Sequence, residues 1–158
     1  MKKGDWPTFR HDGKNTARSS IRAAYAGDHP WVFQTGKGIF STAVIDGDDN
    51  VYVGSGDQVF YKLDKNGNEV WSVLTGEVVD SSALLDDRGL LYFGSGDGFL
   101  YALDPVTGVV LWVNDTSGNM RQNHITGGYA FGNVTSQGYL ATSGDTIIVP
   151  TGRATPAA

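Results

Sequence analysis

The sequence predicts an all-β fold built from repeated four-stranded units, on two observations. YVGSGDQVFYKLDKNGNEVW, from Tyr52 to Trp71, recurs as YFGSGDGFLYALDPVTGVVLW, from Tyr92 to Trp112, and Trp31, Trp71 and Trp112 stand 40 and 41 residues apart. A period of about 40 residues is the mark of a repeat architecture. Composition agrees with strands and turns: 11% of residues are aromatic and 22 of 158 are glycine.

Residues 1–29 form a lead-in that contains DWPTFRHDGKNTARS, Asp5 to Ser19, and residues 30–36 carry a single strand, Trp31 to Thr35, that looks like the closing strand of a unit whose first three strands do not precede it. The first full unit, residues 37–76, has apolar runs at Ser41 to Ile45, Asn50 to Val53, Val59 to Leu63 and Glu69 to Leu74. The second, residues 77–113, repeats them at Ser81 to Leu85, Leu90 to Phe93, Phe99 to Leu103 and Val109 to Val113. Short apolar runs bounded by turn residues read as antiparallel strands. Asp46-Gly47, Asn66-Gly67 and Thr107-Gly108 are expected to supply the positive backbone angles of tight hairpins.

The period breaks after Trp112. Residues 114–136 are irregular, and an incomplete third unit, residues 137–158, resumes with strands expected at Gly138 to Thr142 and Thr146 to Pro150. Gly152-Arg153 then falls where the earlier units have Gly-Asp, and Ala158 aligns with Ala102. Two units are complete and a third is broken off, so the chain is expected to be a fragment of a longer ring. Long insertions between repeats project from one face and concentrate binding residues, which makes Arg121, Asn123, His124, Tyr129 and Arg153 the candidate ligand contacts. The sequons Asn114-Asp115-Thr116 and Asn133-Val134-Thr135 matter only in a glycosylating secretory pathway.

A sheet of about 40 residues cannot bury both of its faces alone, so such units stack on one another. Radial stacking gives a β-propeller, and the Trp that ends each unit suits that architecture better than a helical or leucine-rich repeat. The glycine doublets of kelch propellers and the Gly-His to Trp-Asp signature of tryptophan-aspartate propellers are missing from the repeats.

Two local patterns invite functional readings that their context opposes. The Gly-Ser-Gly-Asp segments at 54–57 and 94–97 resemble phosphate loops, yet each joins two strands and lacks the Lys and the following helix that a nucleotide loop needs. Asp46, Asp48, Asp49 and Asn50 resemble the start of a calcium loop, but no Glu closes it and the matching turn, Asp86-Asp87-Arg88-Gly89, carries a cation. Hairpin turns are expected at both, and no residue is assigned to a metal.

Charge and composition exclude several classes. A net charge of -5 offers no basic patch for nucleic acid. Without cysteine there is no disulfide, thiolate nucleophile or cysteine metal site. No apolar run reaches the roughly 20 residues of a membrane helix, and MKKGDWPTFR lacks the apolar stretch of a signal peptide.

Ala102, Asp104, Thr107, Gly108 and Trp112 follow the A-x-D-x-x-T-G-x-x-x-W pattern of the pyrroloquinoline-quinone-like (PQQ-like) repeat propellers. In the first unit Asp64, Gly67 and Trp71 are kept, Lys62 replaces the alanine and the turn is one residue shorter. The chain thus resembles this quinoprotein-like family over nearly its whole length, the pattern being similar to the tryptophan-docking motif of quinoprotein dehydrogenases. The same residues also have a reading that needs no cofactor: Trp covers apolar surface on the next blade while its indole N–H finds a carbonyl.

The resemblance implies a closed ring of about seven or eight blades and an extracytoplasmic, periplasmic bacterial setting. It leaves three functions: a noncatalytic propeller that binds protein or polymer, part of a dehydrogenase using pyrroloquinoline quinone and calcium on alcohols or sugars, or a module attached to a sensor or secreted enzyme. The first is expected, because a catalytic pocket on the propeller axis draws on many blades. This segment is expected to hold no cofactor, PQQ and calcium belonging to the parent if it is an enzyme. Expected partners are the remaining blades, a protein or polymer, and other copies through open sheet edges.

Overall fold

Strands form where apolar residues alternate and end where aspartate, asparagine or glycine turns the chain. The computed structural model describes residues 6–12, 14, 16–18, 30–116, 138–143 and 146–149. Strands β1 (Val44–Ile45), β2 (Val51–Gly54), β3 (Val59–Leu63) and β4 (Glu69–Leu74) pair antiparallel in chain order. The arrangement repeats in β5 (Leu84–Leu85), β6 (Leu91–Gly94), β7 (Phe99–Leu103) and β8 (Val110–Asp115). A further antiparallel pair is made by β9 (Ala141–Ser143) and β10 (Thr146–Ile148).

Register repeats as well. Tyr52 lies between Val44 and Lys62, as Tyr92 lies between Leu84 and Ala102, and each third strand carries an irregularity, between Lys62 and Leu63 and between Ala102 and Leu103. Gly67 and Gly108 take the positive φ values of 83° and 74° expected of them. In the turn after β1, however, the left-handed residue is Asp49, at φ 64°, rather than Gly47. The Asp46 carbonyl accepts the Asp49 N–H and its carboxylate accepts the Asp48 and Asn50 N–H groups, which puts the left-handed corner at the fourth residue of the turn.

The innermost strands are shorter than the apolar runs suggest, two residues instead of five, and a serine explains it. Ser41 Oγ accepts the Gly54 N–H at 3.0 Å and donates to the Gly54 carbonyl at 2.9 Å, and Ser81 Oγ accepts the Gly94 N–H at 2.9 Å. The hydroxyl takes ladder positions that backbone groups would otherwise fill. In the third unit β9 starts at Ala141, because Tyr139 bridges instead to Ser82 in a parallel sense.

Alternation gives the second sheet two buried faces. Leu85, Leu91, Phe93 and Leu103 pack with Val44, Tyr52 and Phe60 of the first sheet, and the Phe60 and Phe93 rings stack 4.1 Å apart. Its other face, through Leu84, Tyr92, Leu100 and Ala102, packs against Leu140 and Val149 beside β9 and β10. Cover falls away at the fourth strands: Trp71 and Val73 of β4 are partly buried against the core, while all six residues of β8 are exposed. Burial that is complete at the inner strands and lost at the outer one is the arrangement of propeller blades stacked face to face.

Candidate functional site

Arg121, Asn123, His124, Tyr129 and Arg153 lie outside the described residues. Among the described residues, polar chemistry gathers instead at the junctions between sheets, and it does so twice with the same geometry.

The first contact is made by tryptophan. Trp31 Nε1 donates to the Lys65 carbonyl at 3.1 Å and Trp71 Nε1 to the Pro105 carbonyl at 3.2 Å, so each reaches the hairpin after the third strand of the following sheet. Asp64 Oδ1 shapes the first hairpin by accepting the Asn66 and Asn68 N–H groups, while Asp104 Oδ1 shapes the second by accepting those of Val106 and Thr107. Thr107 Oγ1 then takes the Val109 N–H. Glycine is required there twice over. A Cβ on Gly67 would lie 2.5 Å from the Trp31 ring and one on Gly108 2.7 Å from the Trp71 ring, in addition to the positive φ at both.

Lys62, where the second unit has Ala102, adds a contact of its own. It is buried, sits over the Tyr52 ring and donates from Nζ to the Pro105 carbonyl at 2.8 Å. Burial holds its ammonium below the usual lysine range even with Asp46, Asp48 and Asp104 opposing the shift. Ala102, fully buried, pairs with Trp112.

A second contact went unread in the sequence. Asp57 Oδ2 accepts the Gly36 N–H at 2.7 Å and the Tyr61 hydroxyl at 2.8 Å; Asp97 Oδ2 accepts the Gly76 N–H at 2.9 Å and the Tyr101 hydroxyl at 2.7 Å. The aspartates of the two Gly-Ser-Gly-Asp turns therefore fasten the connector entering each sheet. Burial pushes the Asp57 carboxyl up, but hydrogen bonds from Tyr61 and Gly36 outweigh it and leave the group below its ordinary value. Burial and the Asp57 carboxylate together push the Tyr61 phenol up to about 12. Thr-Gly at 35–36 and 75–76, each 21 residues before its aspartate, was the available signal.

The calcium-like cluster is a closed turn. Asp46 accepts N–H groups from Asp48 and Asn50, the Asn50 amide and the Tyr52 hydroxyl. Its lone pairs are thereby committed to the protein. Among the described residues no three His, Cys, Asp or Glu side chains are grouped to hold a metal. The donor set of this turn therefore does not fit a calcium ion.

Two features are left over. Asp80 Oδ1 is inaccessible and has no hydrogen-bond partner among the described residues, and burial raises its pKa. The lead-in, meanwhile, crosses three units. The Trp6 carbonyl accepts the Ile45 N–H at 3.0 Å, the Pro7 carbonyl accepts the Leu85 N–H at 2.9 Å, and Phe9 stacks on Tyr139 with ring centres 3.5 Å apart.

Comparison with known proteins bears on this geometry. A family model described as outer membrane protein assembly factor BamB matches residues 10–155. Among solved structures, BamB from Moraxella catarrhalis is similar at 22% identity and a TM-score of 0.57, over 77% of this chain and 33% of that one. Quinohemoprotein alcohol dehydrogenase from Comamonas testosteroni is similar at 26% identity and a TM-score of 0.67, over 91% of this chain and 22% of that one. A europium-containing methanol dehydrogenase shares 21% identity with a TM-score of 0.69, over 92% of this chain and 27% of that one. No curated protein matches the sequence. The chain therefore spans 22–33% of the length of these solved chains, and the likenesses below one quarter identity are likenesses of fold.

Proposed function

Because the chain belongs to the outer membrane protein assembly factor BamB family of PQQ-like repeat propellers, we propose that it acts as a noncatalytic binding module within a larger propeller, working outside the cytoplasm. The observation that carries this reading is what the carboxylates do. Asp46, Asp57, Asp86 and Asp97 each accept hydrogen bonds from their own turn or from the connector entering the sheet. Side chains used in this way hold blades and turns in place, and the surface left for recognition is the apolar outer strand, where Leu111 is 51% and Val113 46% exposed. Exposed aliphatic strands suit a protein partner better than a small polar substrate. The tryptophan contacts are, in this reading, the family's docking motif used as structure.

A second reading, a segment of a quinone-dependent dehydrogenase, is favoured by the likeness to quinohemoprotein alcohol dehydrogenase along 91% of the chain. Titration with pyrroloquinoline quinone and calcium, followed by a dye-linked alcohol oxidation assay, separates the two. The binding module is expected to show neither saturation nor turnover. Saturable binding at micromolar quinone, or turnover, would overturn the first reading.

A further inference from the structure

The lead-in makes contacts of the kind a bound peptide makes. Its two successive carbonyls, on Trp6 and Pro7, accept from Ile45 and Leu85, which occupy the same place in consecutive sheets 40 residues apart. Both acceptances fall at the ends of the innermost strands, β1 and β5, on edges that no other strand among the described residues pairs. Three residues on, Phe9 reaches the third unit and lies on Tyr139 at an interplanar angle of 11°. One short segment, two carbonyls followed by a turn that carries Phe9, thus reads three blades.

The seat beneath it is only partly filled. A cavity of about 510 Å³ lies between Phe9 and His11 of the lead-in and Leu85, Asp87, Leu140 and Thr142 of the blades. From Thr8 onward the segment turns back on itself rather than into the blades, the Thr8 carbonyl accepting the His11 N–H at 3.0 Å. Asp12 accepts the Lys14 and Thr16 N–H groups and the Thr16 hydroxyl, and the Ala17 N–H returns to the Arg10 carbonyl. Arg10 and His11 take φ values of 56° and 79° to make that corner, a region uncommon outside glycine. The strap is a self-contained loop whose described hydrogen bonds to the strands come from two consecutive carbonyls.

We propose that the ends of the innermost strands form a groove for an aromatic peptide of the Trp-Pro-x-Phe type that offers two successive carbonyls and then turns, and that the lead-in is its built-in, exchangeable occupant. The lead-in of a second copy is then a competent occupant in trans. Cis occupancy leaves the groove closed, and its release opens a peptide-binding face that is separate from the outer strands.

The test uses the full chain carrying Trp6→Ala and Phe9→Ala, with hydrogen exchange read residue by residue. Exchange at the Ile45 and Leu85 amides is expected to quicken about tenfold or more, while Phe93 and Tyr101, in the ladder between β6 and β7, keep their protection. A synthetic peptide of residues 5–18, DWPTFRHDGKNTAR, added in trans should restore protection at Ile45 and Leu85 saturably, and a scrambled peptide should not. Unchanged exchange at those two amides overturns the proposal, as does a peptide without effect. Loss of protection at Phe93 and Tyr101 together with Ile45 and Leu85 also overturns it, because the lead-in would then be an integral part of the fold.

Discussion

Asp57 and Asp97 show how much one side chain can settle. Each joins a turn to the connector entering its sheet, and each accepts hydrogen bonds on both carboxylate oxygens. The Asp57 carboxyl titrates below its ordinary value in the folded protein, so it contributes stability that is present above the unfolded pKa of about 4 and lost as pH falls through the folded pKa. Asp57→Asn is expected to lower stability at neutral pH and to flatten its dependence on pH below about 4; chemical denaturation across an acid series reads both. Tyr61 works from the alkaline side. With its phenol raised to about 12, its stabilisation is complete below the unfolded pKa of about 10 and is lost as pH rises through the folded value. Ultraviolet titration of Tyr61→Phe should lack one late-ionising phenol, and its stability between pH 10 and 12 should fall less steeply than that of the parent.

Elements are set by what terminates and trims them. Gly108 ends the hairpin that Trp71 covers, at φ 74° and with no room for a Cβ. Gly108→Ala is expected to cost roughly 1–3 kcal/mol through backbone strain alone, more with the clash against the indole, and thermal unfolding with tryptophan fluorescence would register both the loss and the displaced ring. Ser81 is the opposite case, a small polar residue that sequence periodicity counted as part of a strand. Its hydroxyl satisfies the Gly94 N–H in a fully buried place. Ser81→Ala leaves that donor without its partner and is expected to cost about 1–3 kcal/mol, whereas Ser72→Ala, on exposed β4, should change stability by less than about 0.5 kcal/mol. The strands β3, β4 and β7 were legible to the residue because alternation and glycine turns bracket them. The shortening of β1 and β5 was not, since a serine hydroxyl that replaces a ladder bond looks in sequence like any other strand residue.

At the scale of the molecule, the second sheet has both faces covered, while β8, the outer strand of that sheet, is exposed along its length. Val110, Leu111, Trp112 and Val113 are 37–51% exposed along β8. An apolar edge of this kind is a template for pairing with another chain, so the isolated chain is expected to self-associate in a concentration-dependent manner. Light scattering coupled to size-exclusion chromatography checks this, and a compact monomer at all concentrations would contradict it. Replacing Leu111 with lysine, which charges the middle of that edge, should shift the equilibrium toward monomer.

By itself the sequence determined the all-β repeat, its period, the hairpin positions and the tryptophans that mark the junctions, because each rests on local spacing and turn chemistry. Only the tertiary structure decided what the polar residues do. Asp46 could have been a metal ligand, and Asp57 and Asp97 part of phosphate loops; folding turned them into acceptors for backbone groups a few residues away or 21 residues upstream. It also laid the lead-in across residues 39, 78 and 130 positions further along the chain. A carboxylate carries the same charge whether it binds a ligand or an N–H group, and which partner it meets is fixed by stacking, through contacts too distant in sequence for any local pattern to encode.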